Sequence, residues 1–232
     1  MLHVKHLTVQ YSPGDPLVLR DIHFSLEPAE RVALIGANGA GKSTLLLTLI
    51  GVIKPREGGI TLGGIPMNQE RLRELRQLAG MVFQDPDNQL FMPTLMDDIG
   101  FGLRNYGFDE TAIEERIAAI LAQLGISHLK NRLSHKLSGG EKRLAALAGV
   151  LVMDPSLLLL DEPSAFLDPR SRRTLISILA GLPQTMLVAT HDLDLAQTLC
   201  PRAILLKEGR VFAEGPTQEL LQNHTLLEQA GL

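Results

Sequence analysis

The chain has little of what marks several common classes of protein. It holds one cysteine, Cys200, in 232 residues, which excludes a disulfide framework and suits a reducing cytoplasm. A formal net charge of -4 gives no basic surface for nucleic acid, so no nucleic-acid partner is expected. The first residues, MLHVK, lack the apolar core of a signal peptide. The apolar runs fall short of the roughly 18 residues that indicate a membrane span. We therefore expect a soluble protein.

One glycine-rich segment carries the clearest chemical signal. Residues 36–44 read GANGAGKST and match the phosphate-binding pattern G-x-x-x-x-G-K-[ST] without a mismatch. The sequence predicts a buried strand before it, over 31–35, and a helix after it, from Lys42 to Ile50, with Gly51 as its stop. The alternative is an ordinary Gly-rich turn, but a chance match is on the order of one in two hundred.

The residue types explain how such a loop would bind a nucleotide triphosphate. Successive backbone N–H groups and a helix N-terminus favour phosphate. Lys42 can reach the β- and γ-phosphates, and the Ser43 hydroxyl can ligate Mg²⁺. The loop residues expected to bind the nucleotide are Gly36, Asn38, Gly39, Ala40, Gly41, Lys42, Ser43 and Thr44.

A second signal is LLLLDE at residues 157–162. A continuous apolar run is typical of a parallel strand covered on both faces, and ligands bind at the carboxyl ends of such strands. Asp161 is then suited to hold Mg²⁺, and Glu162 to orient or deprotonate an attacking water. Taken alone, the run is better interpreted as a buried strand with solvated charges at its end. Together with the phosphate loop, the functional interpretation is favoured.

The remaining pattern indicates an α/β fold, interrupted once. Residues Ile22, Phe24 and Leu26 alternate with polar residues, as in an antiparallel strand. With a strand near Val4–Gln10, this predicts an N-terminal antiparallel β lobe. The segment from about Leu90 to Met153 is mainly helical in pattern. We therefore predict one domain over 1–232, with a phosphate-loop core and β lobe at about 1–89 and 154–232. An inserted helical subdomain is predicted at about 90–153.

Between the two signals lies LSGGE, residues 137–141. Ser138 and Glu141 form the S-x-x-E pattern of a capping box, which predicts a helix start. Glycine is poor for helix stability, so Gly139 and Gly140 suggest that the backbone approaches something closely. A second phosphate at this helix N-terminus would meet that description.

The order of these motifs resembles the ATP-binding-cassette (ABC) ATPases over essentially the whole chain. The matching features are the phosphate loop, Gln84, LSGGE, LLLLDE, residues 164–168 (SAFLD) and His191. The resemblance implies a head-to-tail dimer with two ATP molecules between the subunits. Each ATP would be held by the phosphate loop of one subunit and by Ser138, Gly139 and Gly140 of the other.

The resemblance also implies a role for several single residues. Tyr11 would stack on adenine, Gln84 would sense Mg²⁺ and the transport partner, and His191 would contact the γ-phosphate. The expected catalytic residues are Glu162, His191 and Gln84, the expected Mg²⁺ ligands are Ser43, Gln84 and Asp161, and Glu141 joins the ATP-binding set. Asp168 would tie the subunits together, although Asp168 before Pro169 is also an ordinary helix N-cap.

Two residues depart from the family pattern. Glu141 stands where the signature usually has Gln; the capping role survives, but the added charge would weaken ATP-driven closure. Phe166 stands where a small residue is common. The run FQDPDNQLF at residues 83–91 resembles the ATPases of energy-coupling-factor importers, particularly those for cobalt or nickel and for vitamins such as biotin.

The resemblance therefore implies an ATPase at the cytoplasmic face of the membrane, joined to transmembrane subunits. It implies an ATP-dependent homodimer, or a heterodimer with a second cassette. An ATPase of another ABC transporter is one alternative. A cassette ATPase of chromosome maintenance or translation is another, but the long coiled coils, paired cassettes and basic linkers usual there do not occur. A nucleotide kinase would give no reason for LSGGE before LLLLDE.

Overall fold

The computed structural model describes all residues, 1–232, and they form ten strands and nine α-helices. The strands are β1 (Leu2–Val9), β2 (Leu19–Leu26), β3 (Arg31–Ile35), β4 (Glu57–Leu62), β5 (Ile65–Pro66), β6 (Ala79–Val82), β7 (Leu157–Asp161), β8 (Thr185–Thr190), β9 (Arg202–Lys207) and β10 (Arg210–Pro216). The helices are α1 (Lys42–Leu49), α2 (Leu72–Leu78), α3 (Leu95–Asn105), α4 (Glu110–Gln123), α5 (Gly139–Leu151), α6 (Pro169–Gly181), α7 (Leu193–Leu199), α8 (Thr217–Gln222) and α9 (His224–Ala230). None of the helices is long and apolar enough to cross a membrane.

The chain folds into two compact units. The first contains Met1–Met81, Ser156–Glu162 and Pro183–Leu232, and the second contains Val82–Pro155 and Pro163–Leu182. The first unit holds most of the strands, and the second holds α3, α4, α5 and α6.

An antiparallel sheet of four strands, in the order β2-β1-β4-β5, forms one layer of the first unit. β1 pairs antiparallel with both β2 and β4. Ile22, Phe24 and Leu26 are buried, because alternate residues of a strand point to the same face. The predicted antiparallel lobe is confirmed.

The second sheet has six strands in the order β10-β9-β3-β8-β7-β6. β3 lies parallel to β8 and β9, and β7 lies parallel to β8. Every residue of β7 is buried, as its unbroken leucine run predicts. The carboxyl ends of these parallel strands meet at one edge of the sheet, so the residues that follow β3, β7 and β8 are brought together there.

The helices of the second unit pack through apolar faces. α3 packs against α4 and α5, and α5 packs against α6. On α4 the buried residues recur at helical spacing and are Ile113, Ile117, Ile120 and Leu121. The predicted α/β fold with an antiparallel sheet, a mainly parallel sheet and helices is confirmed.

Some element bounds differ from those predicted. The apolar run MVF at residues 81–83 predicts a short core strand, and the structure places that strand at Ala79–Val82. The helix expected to reach Ile50 ends at Leu49. Helices α2 and α9 were not predicted. α2 buries only Leu75, and α9 buries only Leu227 and Ala230. Such short helices carry almost no apolar periodicity, so only their tertiary contacts stabilise them.

Phe166 is an exposed aromatic residue held in a strained backbone. Its φ is +62° and it is 94% exposed.

We expect Phe166→Gly to raise the free energy of unfolding by about 0.5 kcal/mol. Relief of the left-handed strain outweighs the extra chain entropy of glycine, and almost no packing is lost. Urea denaturation measures this change. Phe166→Ala is the control, because it removes the ring but keeps Cβ; an equal gain in both variants would contradict the strain argument.

Candidate functional site

The phosphate-loop pattern lies between β3 and α1, at the edge of the sheet where the parallel strands end. The Lys42 side chain is buried, and its Nζ donates to the carbonyl oxygens of Gly36 at 2.7 Å and Ala37 at 3.3 Å. Ser43 is exposed in the first turn of α1, and Thr44 is buried. Asn38 and Gly39 at the tip of the loop are exposed. The loop therefore offers accessible backbone and a helix N-terminus around a lysine amine, which suits a phosphate group.

A buried carboxylate lies next to this lysine. Glu162 follows β7 and is 6% exposed. Its Oε1 lies 3.7 Å from Lys42 Nζ and 2.9 Å from His191 Nδ1. Its Oε2 accepts hydrogen bonds from Thr190 Oγ1 at 3.1 Å and from the His191 backbone N–H at 3.3 Å. These contacts fix the carboxylate beside the phosphate loop.

The backbone at Glu162 is strained. Its φ of +44° lies in the left-handed region, which costs a non-glycine residue about 1–2 kcal/mol. The Glu162 N–H donates to Ala189 O at 2.8 Å, so pairing with the end of β8 holds this conformation. Strain of this kind concentrates at functional sites. The strained backbone, together with the buried carboxylate beside Lys42, makes Glu162 a candidate catalytic group.

Tyr11 and Thr44 connect the end of the β lobe to the phosphate loop. Tyr11 is 62% exposed, and its hydroxyl lies 2.8 Å from Thr44 Oγ1. One end of the ring is thus anchored to α1 while much of the ring surface stays accessible. An accessible, anchored aromatic ring can stack on a flat ligand.

The oxygen donors in the first unit suit Mg²⁺. Asp161 ends β7 and is buried, and the Ser43 hydroxyl is exposed on α1, which packs against β7. Mg²⁺ is typically bound by one or two carboxylates together with water and substrate phosphates. No group of three or more His, Cys, Asp or Glu that could hold a metal by itself occurs in the chain. The donor set therefore fits an ion that arrives with a nucleotide.

The predicted capping box at the start of α5 is confirmed. The Glu141 carboxylate accepts from the Ser138 N–H at 2.7 Å, and Ser138 Oγ accepts from the Glu141 N–H at 3.4 Å. These bonds to Ser138, with the nearby Arg132 cation, lower the pKa of Glu141. An Arg132 guanidinium nitrogen lies 3.6 Å from Glu141 Oε1. The charge of Glu141 is therefore compensated inside the second unit.

The two glycines of the signature have different reasons to be small. A Cβ on Gly140 would lie 2.6 Å from Ser171 Oγ, so the close approach there is to α6 of the same chain. A Cβ on Gly139 would meet nothing within 4 Å. The sequence predicted a ligand as the close neighbour of both, whereas packing against Ser171 accounts for Gly140.

The predicted site residues are divided between the two units. The first unit holds the phosphate loop, Tyr11, Asp161, Glu162 and His191, while the second holds Gln84 and the signature residues 138–141. Asp168 lies in the second unit as the N-cap of α6, accepting from the backbone N–H groups of Arg170 and Ser171. Its predicted capping role is confirmed.

Two supporting residues escaped the sequence analysis. Thr190 donates to Glu162, and its position beside His191 is the only signal that could have indicated it. Arg143 is buried, and its guanidinium donates to the carbonyl oxygens of Phe83 and Gln84. An arginine in a helix is normally solvated, so no sequence pattern predicted its burial.

A phosphate loop, a strand ending in two buried carboxylates and a mainly parallel sheet define a P-loop nucleoside triphosphatase. Comparison with known proteins identifies the family. The family model described as ABC transporter matches residues 19–165. An ABC transporter ATP-binding protein of Geobacter sulfurreducens is 47% identical, covering 98% of this chain and 91% of the relative. The energy-coupling factor transporter ATP-binding protein EcfA of Methanothermobacter thermautotrophicus is 40% identical, covering 100% of this chain and 76% of the relative.

Solved structures agree with this match. CbiO1 from Clostridium perfringens, part of the ABC transporter complex CbiONQ, has a TM-score of 0.87 at 37% identity, covering 99% of this chain and 94% of CbiO1. The ATP-binding cassette MJ0796, solved as a dimer bound to ADP and Pi, has a TM-score of 0.84 at 26% identity, covering 94% and 99%. The chain belongs to the ABC transporter family. It is an ATP-binding subunit that hydrolyses ATP in association with transport.

Proposed function

We propose that this ATPase powers an importer of the energy-coupling-factor type, with a transition-metal ion such as cobalt or nickel, or a vitamin, as its cargo. The observation that carries the proposal is the likeness to EcfA along the whole chain, joined by the likeness to CbiO1. The run at residues 83–91 supports the same subfamily.

The alternatives are an ATPase of another kind of ABC transporter and a cassette ATPase outside transport. We also propose a core at about 1–89 and 154–232 and a helical subdomain at about 90–153, within one cassette over 1–232.

In this proposal, ATP binds at the edge of the sheet in the first unit. Residues Gly36 to Thr44 bind the phosphates, with Lys42 turning from its own loop carbonyls toward the β- and γ-phosphates. Tyr11 stacks on the adenine. Ser43 and Asp161 hold Mg²⁺, with Gln84 as a further ligand; the ion would neutralise charge on the phosphates.

Glu162 is the proposed general base. It orients a water in line with the γ-phosphorus and accepts a proton from it as the P–O bond to ADP breaks. The hydrogen bonds from Thr190 and the His191 backbone go to Oε2, and they leave Oε1 as the carboxylate oxygen that faces Lys42 Nζ and His191 Nδ1. His191, whose ring is largely exposed, is positioned to turn toward the γ-phosphate.

We propose further that two chains complete each site. Ser138, Gly139, Gly140 and Glu141 lie at the N-terminus of α5, where the helix dipole favours a phosphate. Ser138 and Gly139 are exposed and would meet the ATP held by a second copy or by a different cassette. The dimeric structure of the relative MJ0796 supports this arrangement. Asp168 would contact the partner chain beside this site.

The proposed docking surface for the membrane partner consists of Leu90, Phe91, Met92, Pro93 and Phe101. Phe91 is 64% exposed, and its ring packs edge-on against Phe101 at 4.9 Å. Asp98 Oδ1 accepts from the backbone N–H groups of Phe91 and Met92, both at 3.0 Å. A cavity of about 310 Å³ adjoins these residues. The fixed backbone and exposed aromatic edge suit the apolar face of an amphipathic helix. The alternative is that Leu90 and Met92, both half-buried, simply pack this unit.

The docking surface gives the experiment that tests the importer. We expect Phe91→Glu or Met92→Glu to prevent co-purification with the membrane proteins encoded beside this chain, and to abolish uptake, because a charge would be buried on docking. ATP binding by the isolated chain should stay within about twofold of normal, since the surface belongs to the second unit and shares no residue with the phosphate loop of the first.

Phe108→Glu is the matched control. Phe108 is a partly exposed phenylalanine of the same unit, 37% exposed, with the Arg116 guanidinium over its ring. Unchanged co-purification and uptake in the Phe91 and Met92 variants would move the docking site elsewhere.

Uptake assays of the wild type with cobalt, nickel and biotin identify the cargo. Failure to co-purify any membrane protein with the wild type would contradict the proposal that this chain powers an importer.

A further inference from the structure

The helix that begins with the signature also holds the backbone of Gln84. Arg143 lies on the first turns of α5 and is 2% exposed. Its Nη1 donates to Phe83 O and its Nη2 donates to Gln84 O, both at 2.7 Å. Both carbonyls belong to the segment that follows β6, and all three residues lie within the second unit. One planar guanidinium therefore links two consecutive peptide carbonyls to the signature helix.

Two further contacts attach the same segment to α5. Gln89 accepts from the Phe83 N–H at 3.2 Å and donates to Ala146 O at 2.8 Å. Lys142 Nζ lies 2.5 Å from Asp87 Oδ1. We call these residues the clamp: Lys142 and Arg143 on α5, with Asp87 and Gln89 on the segment. The clamp attaches both ends of residues 83–89 to α5.

The chemistry of the clamp depends on an arginine. A guanidinium presents several donors in a fixed plane, so it bridges two carbonyls at once, whereas an ammonium is a point charge on a flexible stem. Burying a cation costs free energy unless hydrogen bonds compensate for lost water. Arg143 is therefore committed to these carbonyls, and its removal would leave two acceptors without their charged donor.

We propose that Arg143 is a positioning residue that makes the Gln84 segment and the signature helix move as one piece. A displacement of α5 on contact with a second nucleotide then changes the position of Gln84. A displacement of Gln84 likewise moves α5. The catalytic part of this inference rests on the proposed roles of Gln84 and Ser138 at ATP. The mechanical part, that Arg143 restrains residues 83–89, does not.

The mechanical part is tested without nucleotide, by hydrogen exchange on the full chain. We expect Arg143→Met to speed amide exchange in residues 83–90 by about tenfold or more, because a hydrogen bond to a charged group contributes that much to local stability. Exchange in α4 should not change. Arg143→Lys should give an intermediate rate. If Arg143→Met does not fold, Gln89→Met, which removes the other attachment, should speed exchange in the same segment. Normal exchange in Arg143→Met, or in Gln89→Met where that variant replaces it, would overturn the clamp.

The catalytic part is tested by separating ATP binding from turnover. In Arg143→Met the Kd for ATP should stay within about twofold of normal, while kcat at saturating ATP falls by about tenfold, with partial recovery in Arg143→Lys. The matched control is Arg104→Met, which removes a half-buried guanidinium that is bonded to Glu110 in the same unit. Normal kcat in Arg143→Met with faster exchange would overturn the catalytic role and leave the clamp. No hydrolysis by the wild-type chain would instead overturn the proposed function.

Discussion

Replacing Glu162 with Gln is expected to reduce ATP turnover by at least about a hundredfold while ATP binding stays intact, because a general base contributes a factor of this size or more. The amide keeps the shape of the carboxylate and its hydrogen bonds from Thr190 and the His191 backbone. It loses the basic oxygen that would accept the proton of water. Steady-state phosphate release gives kcat, and equilibrium binding of ATP gives Kd.

The same variant tests assembly. Because the proposed composite site needs two chains, the wild type should be mainly monomeric without nucleotide, and Glu162→Gln should dimerise with ATP. Light scattering distinguishes the two states. Glu219→Gln, an exposed glutamate of the first unit, controls for loss of charge. Near-normal hydrolysis by Glu162→Gln would exclude Glu162 as the base, and an equally stable dimer without nucleotide would point to contacts outside the motifs.

Glu162→Gln is expected to lower the free energy of unfolding, because Glu162 forms a buried ion pair with Lys42. Lys42 Nζ lies 3.7 Å from Glu162 Oε1, and both side chains are largely buried. Neutralising one member of a buried ion pair leaves the other charge without its counter-ion. The two loop carbonyls that accept from Lys42 moderate this cost. We expect the folded state to survive, with ATP phosphates taking over the compensation of Lys42 when bound.

Local patterns predicted much of this protein. The phosphate loop, the leucine run of β7 and the S-x-x-E start of α5 each contain, within ten residues, the periodicity and the chemistry of one element. Together with the strand and helix pattern of the rest of the chain, they predicted the α/β fold class. The helices α2 and α9 could not be predicted in this way, because each buries only one or two side chains and is stabilised by distant contacts.

The parts of the site that depend on contacts between distant residues were not predictable. Nothing near Arg143 in sequence indicates that two carbonyls about sixty residues earlier would bury it. Likewise, nothing near Gly140 indicates Ser171 as its close neighbour. The strain at Glu162 depends on pairing with the end of β8, which sequence cannot reveal. The motifs therefore indicated the candidate reacting residues, and the tertiary structure indicates which residues hold them in place.

The turn between β9 and β10 contacts the phosphate loop through a backbone hydrogen bond. Glu208 and Gly209 have φ of +47° and +74°, and positive φ at both central residues is typical of a two-residue β-hairpin turn. The Gly209 N–H donates to Ala40 O at 3.0 Å, and Gly209 O accepts from the Arg20 N–H at 2.7 Å. A Cβ on Gly209 would lie 2.0 Å from Val18 O. The hairpin tip thus fits against the loop only as glycine.

Gly209→Ala is therefore expected to lower the free energy of unfolding by roughly 2–4 kcal/mol and to weaken ATP binding by about tenfold, because backbone must shift and Ala40 loses its donor. Gly64→Ala is the matched control: its φ is +80°, but a Cβ there meets nothing within 4 Å. It should cost only the left-handed strain, about 1 kcal/mol, and leave ATP binding unchanged. Urea denaturation and ATP titration measure the two effects. Equal losses of stability in both variants, with normal ATP binding, would show that the turn is a passive hairpin and that the phosphate loop keeps its shape without it.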